Sequence, residues 1–286
     1  MEVNPLAWFP APGKLNLLLH VLGRHAGGPN AGMHELQTVF RLIDRCDRVG
    51  LATRKDGEVR FSGIFGGENL CIRAAKLLKD ESRTPFGCDI ALEKVLPVGG
   101  GLGGGSSDAA TVLLVLNRLW NLGWKRAQLM ELGLSLGADV PFFLFGRNAL
   151  GEGVGERLRG LDLAPAWYLI LTPQVSVSTK EIFSDAALTR DTKPLTMSPF
   201  LSGQGRNDLE PIALRRYPEI AQPLSWLKKR SPQGSFAPRM SGSGACVFTE
   251  FSRQEDAVAL HGQLPPGMQG FVVQGLELHP LHDWAN

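Results

Sequence analysis

Apolar runs alternate with glycine-rich and polar stretches along the chain, and their lengths and spacings sort them into strands and helices. Leu15 to Leu22 reads as a strand by length and apolar content. Met33 to Leu42 reads as a strand or the return from a turn. Asp47 to Thr53 and Glu58 to Ser62 predict two strands flanking a hairpin turn at Lys55-Asp56-Gly57. Glu68 to Glu81 predicts an amphipathic helix with Leu70, Ala74, Leu77 and Leu78 on its buried side. Cys88 to Leu96 is strand-like. Beyond it Ala109, Ala110, Val112, Leu113, Leu116, Leu119 and Trp120 recur at helical spacing, in a helix starting near Asp108. Lys125 to Leu136 predicts another helix, stopped by Gly137 as a left-handed cap. Gly146 to Gly160 reads as a connection into a second half. That half carries strands at Trp167–Thr172, Ala245–Phe251 and Gly270–His279, with helices near Thr179–Leu188, Asp208–Tyr217 and Gln254–Gln263. Asp191 to Gly205 reads as a mobile loop.

Between the strand at Cys88 and the helix from Asp108 lies Leu-Pro-Val-Gly-Gly-Gly-Leu-Gly-Gly-Gly-Ser-Ser-Asp. Glycines bring no side chains to a core, but they let the backbone turn tightly and approach a ligand. Ser106, Ser107 and Asp108 are helix-capping residue types. A glycine loop feeding a helix N-terminus gathers free N–H donors and the positive end of the helix dipole, which together suit phosphate. A flexible linker is the ordinary alternative, and the framing strand and apolar helix argue against it. Gly99-x-Gly101-x-x-Gly104 meets the dinucleotide pattern, yet the acid that pattern wants about 20 positions on is missing: Trp120 to Lys125 has none, and the next is Glu131, inside a predicted helix. Walker A fails because no Gly-Lys-Ser/Thr closes the loop.

Composition narrows the class. The 286 residues are 43% hydrophobic and 20% charged with net charge +2, so nothing in the balance points to nucleic acid or an anionic membrane. Lys228-Lys229-Arg230 reads as a solvated helix end. Cys46, Cys71, Cys88 and Cys246 form no metal spacing and fit free thiols in a reducing compartment. Met1-Glu-Val-Asn-Pro lacks the pattern of a signal peptide, and no apolar run is long enough for a membrane span. A cytoplasmic protein is expected.

Four further places could carry chemistry. Lys14 and Asn16 are two apart on a predicted strand, so they share a face; ligand or solvent at a sheet edge would serve both. His34 follows a polar glycine-rich loop, Gly23 to Gly32, where structure or function would explain it. Asp139 follows a helix end beside an apolar run; it is either a partnered carboxylate or a cap for the turn at Pro141. Arg239 to Ala245 is a second glycine-serine turn that either faces the first loop across a cleft or merely turns.

Three separated segments are similar to the three motifs of the GHMP kinases: Ala11-Pro-Gly-Lys-Leu-Asn16, the loop from Pro97 to Ser107, and Ser241-Gly-Ser-Gly-Ala-Cys246. Leu136-Gly-Ala-Asp-Val-Pro141, Glu152-Gly-Val-Gly-Glu156 and Pro280-Leu-His282 narrow the likeness to the branch acting on a cytidine-diphosphate-linked methylerythritol. The resemblance runs nearly the whole length. It implies an α+β, two-domain GHMP kinase fold: a ribosomal-protein S5 domain 2-like N-terminal half (1–150, binding ATP) and a ferredoxin-like C-terminal half (151–286), with a cleft between. It implies transfer of the ATP γ-phosphoryl group to a tertiary hydroxyl, in the non-mevalonate isoprenoid route. Small-molecule substrates follow, with no nucleic acid or membrane partner, in a monomer or homodimer. Mg²⁺ is expected with ATP, because this metal leans on phosphate oxygens more than on a protein cage.

Residue by residue, the resemblance makes Asp139 the catalytic base and Lys14 its partner. Lys94, Pro97, Gly99, Gly100, Gly101, Leu102, Gly103, Gly104, Gly105, Ser106 and Ser107 would hold ATP, with Ser107 also a possible hydroxyl on the metal. Asn16, Met33, His34, Asp139, Thr179 and Phe183 would meet the other substrate, His34 and Phe183 at its cytosine. This chain reads Ala31-Gly-Met-His34 where the family has Asp-Gly-Tyr-His. A thioether then replaces one aromatic ring, able to lie on a ring face by dispersion.

Overall fold

The computed structural model describes residues 5–28, 31–63, 69–201, 203–231 and 236–285. Met1 to Asn4, Pro29 and Asn30 of the polar loop, and Glu68 at the expected helix start lie outside them. Ten strands and nine α-helices are found among the described residues. Strands β1 (Ala7–Arg24) and β2 (His34–Arg54) form a long antiparallel pair, then come β3 (Val59–Ser62), helix α1 (Leu70–Ser82) and β4 (Gly87–Glu93). Helices α2 (Gly104–Leu119), α3 (Arg126–Leu134) and α4 (Val140–Phe145) follow, then β5 (Ala149–Gly153), β6 (Arg157–Gly160) and β7 (Trp167–Leu171). The rest is α5 (Thr179–Ser184), α6 (Met197–Leu201), α7 (Glu210–Arg216), α8 (Ala221–Arg230), β8 (Arg239–Met240), β9 (Val247–Phe251), α9 (Gln254–His261) and β10 (Gly270–Leu276).

One sheet runs through both halves in the order β3-β4-β2-β10-β7-β9-β8, with β1 and β5 also on β2 and β6 on β5. Strand β10 stitches the halves together, pairing with β7 along its length and with β2 at Gly275 and Leu276. Helix α2 is buried at every position from Ser107 to Asn117, as a helix apolar nearly all round must be. It packs with α1 and α4 on the N-terminal part of the sheet, in a core that includes Val112, Leu116, Phe142 and Ile90. A second core gathers β7, β9 and α7 to α9; a third, including Leu15, Leu18, Leu102, Tyr168 and Phe248, joins the two.

Several expectations change. β3 does not form a hairpin with β2: β4 lies between them, antiparallel to β2 and parallel to β3. The apolar β4 takes the interior place, whereas β3 alternates between half-buried and exposed positions and suits an edge. Gly146 to Gly160 is no connection but the β5–β6 hairpin added to β2, so the boundary anticipated after residue 150 falls inside β5. Gly137 is not a left-handed cap, because α3 ends at Leu134 with Ser135 in right-handed geometry. The stretch from Asp191 to Gly205 is fastened: Thr192 N donates to Val21 O, Leu195 N to Gln37 Oε1, and Phe200 in α6 is fully buried. Strand β4 stops at Glu93 because the amides of Val95 and Leu96 turn onto the Asp47 carboxylate, at 2.6 and 2.8 Å.

Candidate active site

A cavity of about 600 Å³ opens between the halves. It is lined by the loop from Pro97 to Ser106, by Lys14, Asn16, Thr38 and Asp139, and by Thr179, Phe183 and Gly242 to Gly244.

The two glycine turns meet directly. Ala245 N donates to Gly99 O and Cys246 N to Gly100 O, while Gly101 O accepts from Ser241 Oγ at 3.0 Å. Gly101 has φ +76°, and a Cβ there would stand 2.1 Å from Ser241 O. The loop carbonyls are thus spent on protein donors. Asn207, buried beneath, donates from Nδ2 to Met240 O and Gly242 O and shapes the second turn. Of the two readings of that turn, the structure takes the facing one.

Helix α2 starts four residues earlier than expected, with Gly103 (φ +72°) as its N-cap and no side-chain cap. Ser106, Ser107 and Asp108 therefore do not cap it. The earlier start brings glycine backbone to the cavity: the N–H groups of the first turn, Gly104 to Ser106, have no partner within the helix and lie at the positive end of its dipole. Ser106 lines the cavity. Ser107 is fully buried, does not line it, and its Oγ has no partner.

Beneath the loop, Lys94 Nζ is held between two carboxylates, Asp47 and Asp108, the latter at 2.7 Å. Asp47 is fully buried and Asp108 nearly so. Burial pushes the Asp108 carboxyl up to about 7, against the pull of Lys94 and with the push of Asp47. Lys94 lines the cavity, but its ammonium is engaged by these acids. Nothing in the residue spacing links Asp47 to this group, and residue type marks Asp108 only as a cap.

Lys14 is 3% exposed in β1, where the strand pairing shifts register on either side of Lys14 and Asn16. Its ammonium donates to Asn16 Oδ1 and, at 2.9 Å, to Gly101 O, and stands 3.5 Å from Asp139 Oδ2. Asn16 Nδ2 donates to Thr38 Oγ1, so a threonine of β2 that the sequence did not single out sets the amide's orientation. Asp139 occupies the N-cap position of α4 but makes no capping bond, and its carboxylate is about one-third exposed. Of its two readings, cap or partnered carboxylate, the structure takes the second.

At the other end Thr179 Oγ1 and Ser243 Oγ lie 2.7 Å apart, and the Phe183 ring lies 5.0 Å from the His34 ring. His34 Nε2 accepts from Arg190 Nε, and burial first, then Arg190 and Arg24, lowers the imidazole's pKa. Neither His34 nor Met33 lines the cavity; Met33 is 42% exposed.

Two family profiles match the chain, described as "GHMP kinases N terminal domain" over residues 69–147 and "GHMP kinases C terminal" over 196–265. A protein of Nitrosospira multiformis named 4-diphosphocytidyl-2-C-methyl-D-erythritol kinase is 55% identical, covering 96% of this chain and 93% of its own. One of Thiobacillus denitrificans with the same name is 51% identical over 97% of this chain and 98% of its own. Among solved structures, a 4-(cytidine 5'-diphospho)-2C-methyl-D-erythritol kinase matches with TM-score 0.81 and 33% identity, over 94% of this chain and 99% of that one. A homoserine kinase of Cytophaga hutchinsonii, at TM-score 0.65 and 16% identity over 98% of this chain and 97% of its own, shares the fold alone. With both halves matched and half its residues shared with such relatives end to end, this chain belongs to the GHMP kinases, in the 4-diphosphocytidyl-2-C-methyl-D-erythritol kinase family.

Proposed function

We propose that the protein transfers the γ-phosphoryl group of ATP to the 2-hydroxyl of 4-diphosphocytidyl-2-C-methyl-D-erythritol, forming the 2-phosphate for isoprenoid synthesis. The observation that carries this reading is the contact of Lys14 with both Asp139 and the Gly101 carbonyl in the cavity wall. Phosphoryl transfer needs positioning and charge stabilisation more than covalent work. The glycine loop and the first turn of α2 offer N–H groups and a dipole to the triphosphate. Asp139 accepts the hydroxyl proton as the oxygen attacks phosphorus and the bond to ADP breaks. Lys14 orients Asp139 and offsets charge on the group in transit. Asn16 and Thr179 contact the acceptor substrate, and Phe183 and His34 its cytosine.

Among the described residues no cluster of histidine, cysteine and acidic side chains could cage a metal. The donor set instead fits a Mg²⁺ that arrives on ATP: one serine, Ser106, faces the cavity, and Ser107 Oγ beside it is buried without a partner. Such an ion supplies neutralisation of the phosphate oxygens. Four free cysteines and charged small-molecule substrates support a cytoplasmic location.

The test is ADP release by the purified protein with ATP and each of several alcohols. Turnover confined to the cytidyl substrate supports the reading; equal turnover of mevalonate or homoserine overturns it, as does ATP binding with no turnover on any of them.

A further inference from the structure

Arg190, between α5 and α6, spends four N–H donors on protein acceptors. Nη1 reaches Leu188 O at 3.1 Å; Nη2 reaches Phe183 O at 3.1 Å and Asp185 O at 2.8 Å; Nε reaches His34 Nε2 at 3.0 Å. Three of these acceptors are carbonyls at and beyond the C-terminal end of α5, where helix geometry leaves carbonyls without partners. The fourth belongs to the first residue of β2. One planar guanidinium therefore pins the Phe183 turn to the His34 ring and sets the 5.0 Å spacing of the two rings.

The bond to His34 also has a chemical consequence. A guanidinium only donates, so His34 Nε2 must accept, and the imidazole's proton must sit on Nδ1. We propose that Arg190 is a positioning residue that makes the edge of the cavity at Phe183 selective for cytosine over uracil, by holding His34, just behind that lining ring, as a neutral Nδ1–H donor. The proposal rests on the reading of His34 and Phe183 as the nucleobase contacts. Cytosine presents an acceptor at N3; uracil carries a hydrogen there. A fixed N–H donor matches the first and meets the second donor to donor. The Phe183 face, by contrast, stacks on either base. The two side chains divide the work: the ring supplies affinity, and the imidazole held by Arg190 supplies discrimination.

The experiment measures inhibition constants of CDP and UDP, each competing with the cytidyl substrate, for wild type, Arg190→Ala, Arg190→Lys, His34→Ala and Phe183→Ala, together with the KM for ATP. Wild type should favour CDP by about tenfold or more, the worth of one well-placed hydrogen bond against an unmatched donor. Arg190→Ala should bring that ratio close to one while the KM for ATP stays within about twofold. His34→Ala should match it, with no further loss when the two are combined. Arg190→Lys keeps the charge but not the planar fork and should resemble Arg190→Ala; it carries the same test if the alanine variant fails to fold. Phe183→Ala should weaken CDP and UDP alike. An unchanged CDP/UDP ratio in the Arg190 variants overturns the proposal, even if both ligands bind less tightly. If Phe183→Ala weakens CDP in that case, the nucleobase reading stands and only the role of Arg190 falls. If Phe183→Ala leaves CDP binding untouched, the nucleobase reading itself fails and takes the proposal with it.

Discussion

Lys14 and Asp139 meet with their charges 3.5 Å apart, one from the middle of β1 and the other from the head of α4. The lysine has two further partners, Asn16 Oδ1 and Gly101 O, so it stays anchored if the acid is neutralised.

Asp139→Asn should therefore separate chemistry from folding. The carboxylate makes no capping bond, so stability should move by no more than about 0.5 kcal/mol. The rate should fall roughly 100- to 10,000-fold if a general base is lost. Steady-state kinetics with a thermal melt check both, and the KM for ATP should change little.

Gly101 in the loop and Gly105 in the first turn of α2 should respond differently. At Gly101 an alanine Cβ would press on Ser241 O and the backbone would keep a left-handed φ, so Gly101→Ala should cost about 2 kcal/mol or more. It should also raise the KM for ATP, because the two turns would part. Gly105 lies in α2 with Leu70 Cδ1 at 3.6 Å from its virtual Cβ, ordinary contact, so Gly105→Ala should fold as wild type. Denaturant unfolding of the pair decides this.

The acid pair around Lys94 predicts a pH dependence. The Asp108 carboxyl, raised from 3.8 to about 7, keeps its proton in the fold over a range where the unfolded chain has released it. The native state then binds more protons, so this group makes stability fall as pH rises from about 4 to about 7. Asp108→Asn leaves Lys94 paired with Asp47 and should abolish that slope. Melting temperatures of variant and wild type, differenced across pH 5 to 8, test it; parallel curves would refute it.

His279 predicts the opposite slope. It is 2% exposed, and burial, then the charges of Arg126 and His282, lower its pKa to about 3. Below about 6.5 the unfolded imidazole takes a proton that the folded one refuses, so stability is lost as pH falls towards 3. His279→Asn can still accept from Leu281 N, as Nδ1 does now, and should lose less stability between pH 6.5 and 4. Urea midpoints at several pH values read the difference.

Most strands and helices were legible, because apolar spacing is a local property of the chain. The strand from Leu15, the helices at Leu70 and Arg126, and β7, β9 and β10 were all visible in it. What misled was partner choice. Lys55-Asp56-Gly57 is good turn chemistry, yet a turn does not say which strand lies alongside; β4, more apolar than β3, takes the inner place. Gly146 to Gly160 reads as punctuation by composition, but β5 finds ladder partners on β2 and β6 finds them on β5.

By itself the sequence determined that glycine backbone would precede a helix, that Lys14 and Asn16 would share a face, and that three motifs would belong to one kinase family. Only tertiary structure decided that Asp139 spends its carboxylate on Lys14 rather than on a cap, that Lys94 is claimed by Asp47 and Asp108, and that Arg190 reaches His34. The reason is physical: periodicity and turn chemistry act over a few residues, whereas a buried charge is satisfied by whichever opposite group packing brings within reach, however distant in the chain.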